Sequence, residues 1–197
     1  MKVVLATANP GKQREFAALL GPRGFELVPQ LELGIAGAAE TGHSFEDNAL
    51  LKARHAAALS GLPALADDSG LEVDALGGQP GVWSARFAGV GASDEQNNAQ
   101  LLRALAQRPG MPRTARYRCV LALVRYADDP RPLLAQGAWE GHIGTQPAGH
   151  GGFGYDPYFI PAGFECTAAE LSAAHKNALS HRGAALRDLI ARLDSWA

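Results

Sequence analysis

The stretch Ala64-Leu65-Ala66-Asp67-Asp68-Ser69-Gly70-Leu71-Glu72-Val73 constrains this chain more than any other. A short apolar run meets two adjacent carboxylates, a hydroxyl and a glycine. Carboxylates are poor strand residues, so a pair of them where a strand stops implies a task at the strand's end. In open α/β sheets that end faces the ligand crevice. Gly70 offers a backbone that can turn at positive φ without steric cost. A polar turn closing a hairpin would explain the same residues, and the acid pair alone does not separate the two readings. Neighbouring strand residues point to opposite faces, so the spacing leaves open which of Asp67 and Asp68 does what.

A second cluster opens the chain. Val3 to Ala6 reads as a buried strand, followed by Thr7-Ala8-Asn9-Pro10-Gly11-Lys12 and a helix from about Lys12 to Leu20 with Phe16, Leu19 and Leu20 on one face. A strand-to-helix junction presents backbone N–H groups and the positive end of the helix dipole, and Lys12 adds a full charge. That is either an anion cradle or an ordinary loop. It lacks the long glycine spacing of a Walker loop. Phe25 to Val28 reads as a second strand, and Leu31 to Thr41 as a loop of small residues with one acid near its end, Glu40, which taken alone reads as solvated. Ser44 caps a helix to about Leu59, on which Ser44, Asn48 and Lys52 share a face that lines a cleft or meets water.

Downstream, Leu71 to Leu76 reads as a strand returning from the acid turn, and Val82 to Phe87 as a short edge segment. Ser93 caps a helix to about Leu105. Thr114 to Tyr126 and Leu133 to Trp139 form a hairpin across Asp128-Asp129-Pro130. Gly149 to Pro157 is a glycine-rich loop carrying Phe153 and Tyr155, suited to a flat ring approaching the backbone or simply to a connector. A short strand, Tyr158 to Ile160, follows. A helical stretch then carries Lys176, and Ser180 caps a last helix from His181 to about Leu193. His181 and Arg182 sit in its first turn, where the dipole disfavours cations, so a bound anion or carbonyl is the expected partner. Helices alternating with strands, with one long hairpin and no linker, give α/β with a mixed sheet over one domain, 1–197.

Charge and composition remove several classes. With 18 Lys plus Arg against 20 Asp plus Glu, the chain has no general basic surface for a nucleic-acid polymer. No apolar run approaches the roughly 20 residues of a membrane helix, and no signal-peptide pattern opens the chain, so a cytoplasmic protein is expected. Two unmatched cysteines, Cys119 and Cys166, imply neither a disulfide framework nor a zinc cluster.

Together these pieces form a phosphate end, a metal and general-base centre, and a base-recognising end. The set suits hydrolysis within a nucleoside triphosphate, with Mg²⁺ held by one or two carboxylates and the substrate's phosphates. At these motifs, and at Pro80-Gly81-Val82-Trp83-Ser84-Ala85-Arg86, the chain resembles the inosine triphosphate pyrophosphatase (Ham1-like) family nearly end to end. The resemblance implies cleavage of the α–β phosphoanhydride of ITP, dITP and XTP, giving the monophosphate and pyrophosphate. It implies that Asp68 accepts the proton and touches Mg²⁺, with Glu40 as the other ligand. Thr7, Ala8, Asn9, Pro10, Gly11 and Lys12 would hold the triphosphate, with Lys52 and Ser69 also on the substrate. Phe153, Gly154, Tyr155, Asp156, Lys176, His181 and Arg182 would form the nucleoside pocket. Elongated homodimers with two lobes around a central nucleotide cleft are implied too. His175 departs from the pattern, since an acid often precedes the lysine there, and Ala39-Glu40 replaces a pair of acids. The nearest rival is a Maf-like pyrophosphatase acting on pyrimidine or modified nucleotides. A nucleotide-sensing module fits less well, because paired carboxylates repel phosphate unless a metal intervenes.

Overall fold

Val3, Val4 and Leu5 have no polar face to offer water, and they form the buried part of a strand, β1 (Lys2–Leu5). The computed structural model describes residues 1–193. After β1 come α1 (Pro10–Leu20), β2 (Glu26–Pro29), α2 (Phe45–Ser60), β3 (Ala64–Val73), α3 (Asp94–Ala106), β4 (Thr114–Val124) and β5 (Leu133–Ile143), then β6 (Phe159–Pro161), α4 (Ala173–Leu179) and α5 (His181–Arg192). Among the described residues the strands make one six-stranded sheet in the order β2-β1-β3-β4-β5-β6. β1 runs parallel to β2 and β3, whereas β5 and β6 are antiparallel, so the sheet is mixed as expected. No helix among the described residues is long and apolar enough to cross a membrane.

The chain divides into two compact units. The first comprises Met1–Asp68, Cys119–Gly137 and the described residues from Arg182; the second comprises Ser69–Arg118 and Ala138–His181. Passage from one to the other falls inside β3, β4 and β5 and at the start of α5. In the first unit, Phe16 and Leu20 of α1 and Leu186 and Leu189 of α5 pack with Val3, Leu5, Leu65 and Leu121. Burying each such side chain contributes roughly 1.5–3 kcal/mol. The second unit has its own core around Leu71, Leu101, Tyr117, Trp139, Tyr155 and Phe159.

Capping explains where the helices start. The Ser44 hydroxyl accepts the Asp47 N–H (3.1 Å) at the head of α2, and Ser93 and Gln96 make a reciprocal capping box on α3. α1 begins two residues earlier than expected. Asn9 accepts the Lys12 N–H (3.1 Å), and Pro10, whose φ is already helical, takes the first position.

Two sequence expectations are overturned here. The acid pair is not a turn: β3 is continuous from Ala64 to Val73, and Gly70 is not among the glycines at positive φ. Asp67 and Asp68 are buried in mid-strand, where ion pairs with lysines override the poor strand propensity of a carboxylate. Val82 to Phe87 is not an edge strand either, because Gly81–Arg86 winds into a 3₁₀ helix. There the Ser84 hydroxyl donates to the Gly81 carbonyl (2.6 Å), a local bond that competes with ladder formation.

The hairpin turn between β4 and β5 is held by one acid. Asp129 is fully buried and accepts from the Arg125 backbone N–H (3.0 Å), from Arg125 Nε and Nη2 (both 3.0 Å) and from the Arg131 N–H (2.9 Å). The Arg125 side chain, acting against the cost of burial, holds the Asp129 carboxyl well below the usual carboxylate range. A depressed folded-state pKa adds stability above the unfolded value of about 4 and loses it as pH falls through the folded value. Asp129→Asn should therefore cost about 2 kcal/mol at neutral pH. It should also flatten the acid limb of stability in urea melts between pH 7 and 3. A variant with an unchanged acid limb would count against this assignment.

Candidate active site

Because β3 alternates, its two acids face different partners. Asp67 Oδ2 lies 2.7 Å from Lys12 Nζ, on the first turn of α1, and 3.7 Å from Arg182 Nη2, on the first turn of α5. The Arg182 guanidinium is also paired with Glu15, one turn along α1 from Lys12. This first-turn cation is thus held by two of the protein's own carboxylates, which offset the unfavourable helix dipole. Burial works against ionised Asp67, yet Lys12, Arg182 and Lys52 outweigh it and hold the carboxyl below the ordinary range.

Asp68 meets α2. Its Oδ1 accepts from Lys52 Nζ (2.7 Å) and its Oδ2 from the Asn48 amide (3.3 Å). The same Lys52 ammonium reaches Glu40 Oε1 at 2.9 Å, so Glu40 and Asp68 converge on one cation. Asn48 is itself fixed, because its Oδ1 accepts the Gly42 N–H at 2.8 Å. A Cβ on Gly42 would stand 2.7 Å from that oxygen, so only glycine allows so close an approach. Burial pushes the Asp68 carboxyl above its ordinary value despite the opposing pull of Lys52. Burial would lower the pKa of Lys52, but Asp68, Asp67 and Glu40 raise it. On the shared face of α2, Asn48 is buried and Lys52 is half-buried, both directed at Asp68, while Ser44 remains exposed. Neighbouring Cys119 is no nucleophile, since burial, with Asp67 adding to it, pushes the thiol up to about 12.

The second unit holds the other expected residues. Lys176 Nζ donates to Asp156 Oδ2 (2.6 Å) and sits 4.7 Å from the centre of the Phe153 ring. Asp156 also accepts from the Phe153 N–H (2.8 Å) and the Tyr117 hydroxyl (3.2 Å). Gly152, at φ +73°, makes this possible: a Cβ there would lie 2.0 Å from Asp156 Oδ2. Gly149 and Gly151 have a different task, close packing on the Ala169 backbone. His181 stacks on Tyr117 with ring centroids 4.7 Å apart. The loop is therefore braced at several atoms and is not a slack connector.

Sequence reasoning missed Glu15 and Tyr117. Glu15 carried a readable signal, being three residues beyond Lys12 on one helix face. Tyr117, inside a long apolar strand, gave none.

The Ham1 family model matches residues 3–192. A dITP/XTP pyrophosphatase of Thioalkalivibrio sulfidiphilus is 55% identical over 193 residues, covering 98% of each chain. Among solved structures, a HAM1 protein from Coxiella burnetii superposes with a TM-score of 0.92 at 45% identity, covering 99% of each chain. A nucleoside-triphosphatase described as a dITP/XTP pyrophosphatase, from Mycobacterium abscessus, gives 0.76 at 44% identity over 96% of this chain and 99% of its own.

Proposed function

The chain belongs to the Ham1 family, and on that premise we propose that it hydrolyses the non-standard purine nucleoside triphosphates ITP, dITP and XTP to the monophosphate and pyrophosphate, clearing them from the nucleotide pool. One observation carries the reading: adjacent acids of one strand have been given opposite electrostatic settings. Asp67, pinned by Lys12 and Arg182, is fixed as an anion. Asp68, pushed upward by burial, is the better proton acceptor and takes a proton from the attacking water. Water adds across the α–β anhydride, and pyrophosphate leaves with the bridging oxygen.

The donor set fits Mg²⁺. Among the described residues no group of three or more His, Cys, Asp or Glu side chains is assembled for a metal, but Glu40 and Asp68 already converge on a cation. Magnesium uses one or two carboxylates plus substrate phosphates, so these two would hold it. When bound, it supplies charge neutralisation for the phosphate oxygens. Lys52 turns from the acids toward phosphate, Lys12 and the Thr7–Pro10 backbone with Gly11 take the triphosphate, and Ser69 supports the substrate beside Asp68. Phe153, Gly154, Tyr155, Asp156, Lys176 and His181 read the nucleoside. Arg182 joins them, and its pairing to Asp67 gives it a second task on the phosphate side. Donor-only groups facing C6 of the purine favour a keto oxygen over an amino group. The same reading has the chain acting as a cytoplasmic homodimer, for which sedimentation mass and cell fractionation are the checks.

Product analysis with ITP and Mg²⁺ decides the reaction. Pyrophosphate with IMP supports it, and phosphate with IDP overturns it. Turnover of dTTP or UTP in place of ITP and XTP would end the substrate claim. Lys12→Ala should raise the KM for ITP by about tenfold to a hundredfold, the worth of one charged contact. An unchanged KM would remove Lys12 from the phosphate site.

A further inference from the structure

Gly154 lies in the middle of the loop assigned to the nucleoside, and both of its backbone polar groups are held by one helix. Its N–H donates to Asp94 Oδ2 (2.7 Å), and its carbonyl accepts from Asn98 Nδ2 (2.9 Å). Asp94 is the first residue of α3 and Asn98 lies one turn further on, so the pair brackets the glycine from a rigid element. The amide orientation of Asn98 is fixed by chemistry. Its Nδ2 faces two carbonyls, of Gly154 and Asp94 (2.9 Å each), and only an NH₂ group can satisfy both. Asn98 is 7% exposed, and its Oδ1 is buried without a hydrogen-bond partner among the described residues. A polar side chain kept at that cost is there for the bonds made by its other end.

The geometry has a consequence for specificity. The Gly154 N–H belongs to the peptide plane shared with Phe153, and its carbonyl to the plane shared with Tyr155. Peptide units are planar and trans, so fixing one polar group of a plane fixes the direction of the other. Holding the Gly154 carbonyl on Asn98 thereby aims the Tyr155 N–H the opposite way. The Tyr155 hydroxyl, donating to the Ser84 carbonyl (2.8 Å), secures the next residue. The loop cannot rotate its main-chain donors to suit a different purine edge.

We infer that Asp94 and Asn98 are positioning residues that set purine selectivity by clamping both peptide planes of Gly154. This rests on the purine-reading role proposed above for Phe153 to Asp156. Asn98→Leu keeps the bulk and removes the donor. Asp94→Ala removes the acceptor, and Asp94→Asn restores one. The measurements are KM and kcat for ITP, the ITP-to-ATP ratio of kcat/KM, and hydrogen exchange of peptides covering 152–158. Asn98→Leu and Asp94→Ala should each raise the KM for ITP about tenfold, the worth of one buried hydrogen bond, with a much smaller change in kcat. The ITP-to-ATP ratio should fall, exchange should quicken, and Asp94→Asn should recover most of both. Faster exchange with unchanged KM and ratio would overturn the clamp as a selectivity device. Should Asn98→Leu fail to fold, the Asp94 pair carries the test alone. Failure of the wild-type chain to act on ITP would instead defeat the functional reading, and the exchange data would still show whether α3 holds the loop.

Discussion

Asp68→Asn should lower ITP turnover about a thousandfold, the scale of a lost general base, while inosine nucleotide binding survives. The substitution keeps the shape of the side chain and its place in β3 between Asn48 and Lys52. It removes the negative charge and the ability to take a proton. Stability should fall little, because burial already presses this carboxyl toward its neutral form. Steady-state kinetics with a pyrophosphate readout, paired with equilibrium binding of IMP, separates chemistry from binding. Near-normal turnover would take Asp68 out of the mechanism.

Asp67→Ala should do the reverse and damage the fold first. Arg182 is 2% exposed, and its Nη2 lies 3.7 Å from Asp67, so losing this carboxylate takes one counter-ion from a buried guanidinium that is also paired with Glu15. Lys12 loses its counter-ion at the same time. Breaking a buried pair from one side costs about 3–5 kcal/mol. In a chain of this length that should lower Tm by on the order of 10 °C. Calorimetry checks it, and a Tm within a degree or two of wild type would show that Asp67 is not the counter-ion. The two neighbours thus separate: Asp68 for turnover with the fold intact, Asp67 for the fold.

Much of this was readable in the chain. Ser44 and Ser93 announced α2 and α3, and the stripe of Phe16, Leu19 and Leu20 announced α1. The helix spacing that put Asn48 and Lys52 on one face placed both on Asp68. What stayed hidden has a common physical origin. Propensity said that two acids and a glycine stop a strand, but Lys12 and Lys52, distant in sequence, make those acids acceptable inside one. With Pro10 and Gly11 read as the turn from strand into helix, the sequence puts the start of α1 at Lys12, whereas Asn9 caps it and proline takes the first helical position. Tyr117 and Asn98 hold the loop at Asp156 and Gly154 from within a strand and a helix whose patterns announced only burial.

The interleaved chain path sets a limit on how such an enzyme can diversify. Neither unit is a contiguous stretch, and three of the four passages between them cut through strands. No single exchange of a gene segment could replace either unit whole, because each is threaded from separate stretches of the chain and three of the four junctions would sever a strand. New properties in such an architecture accumulate residue by residue, within loops such as the one around Gly154, while the shared strands pass through unchanged.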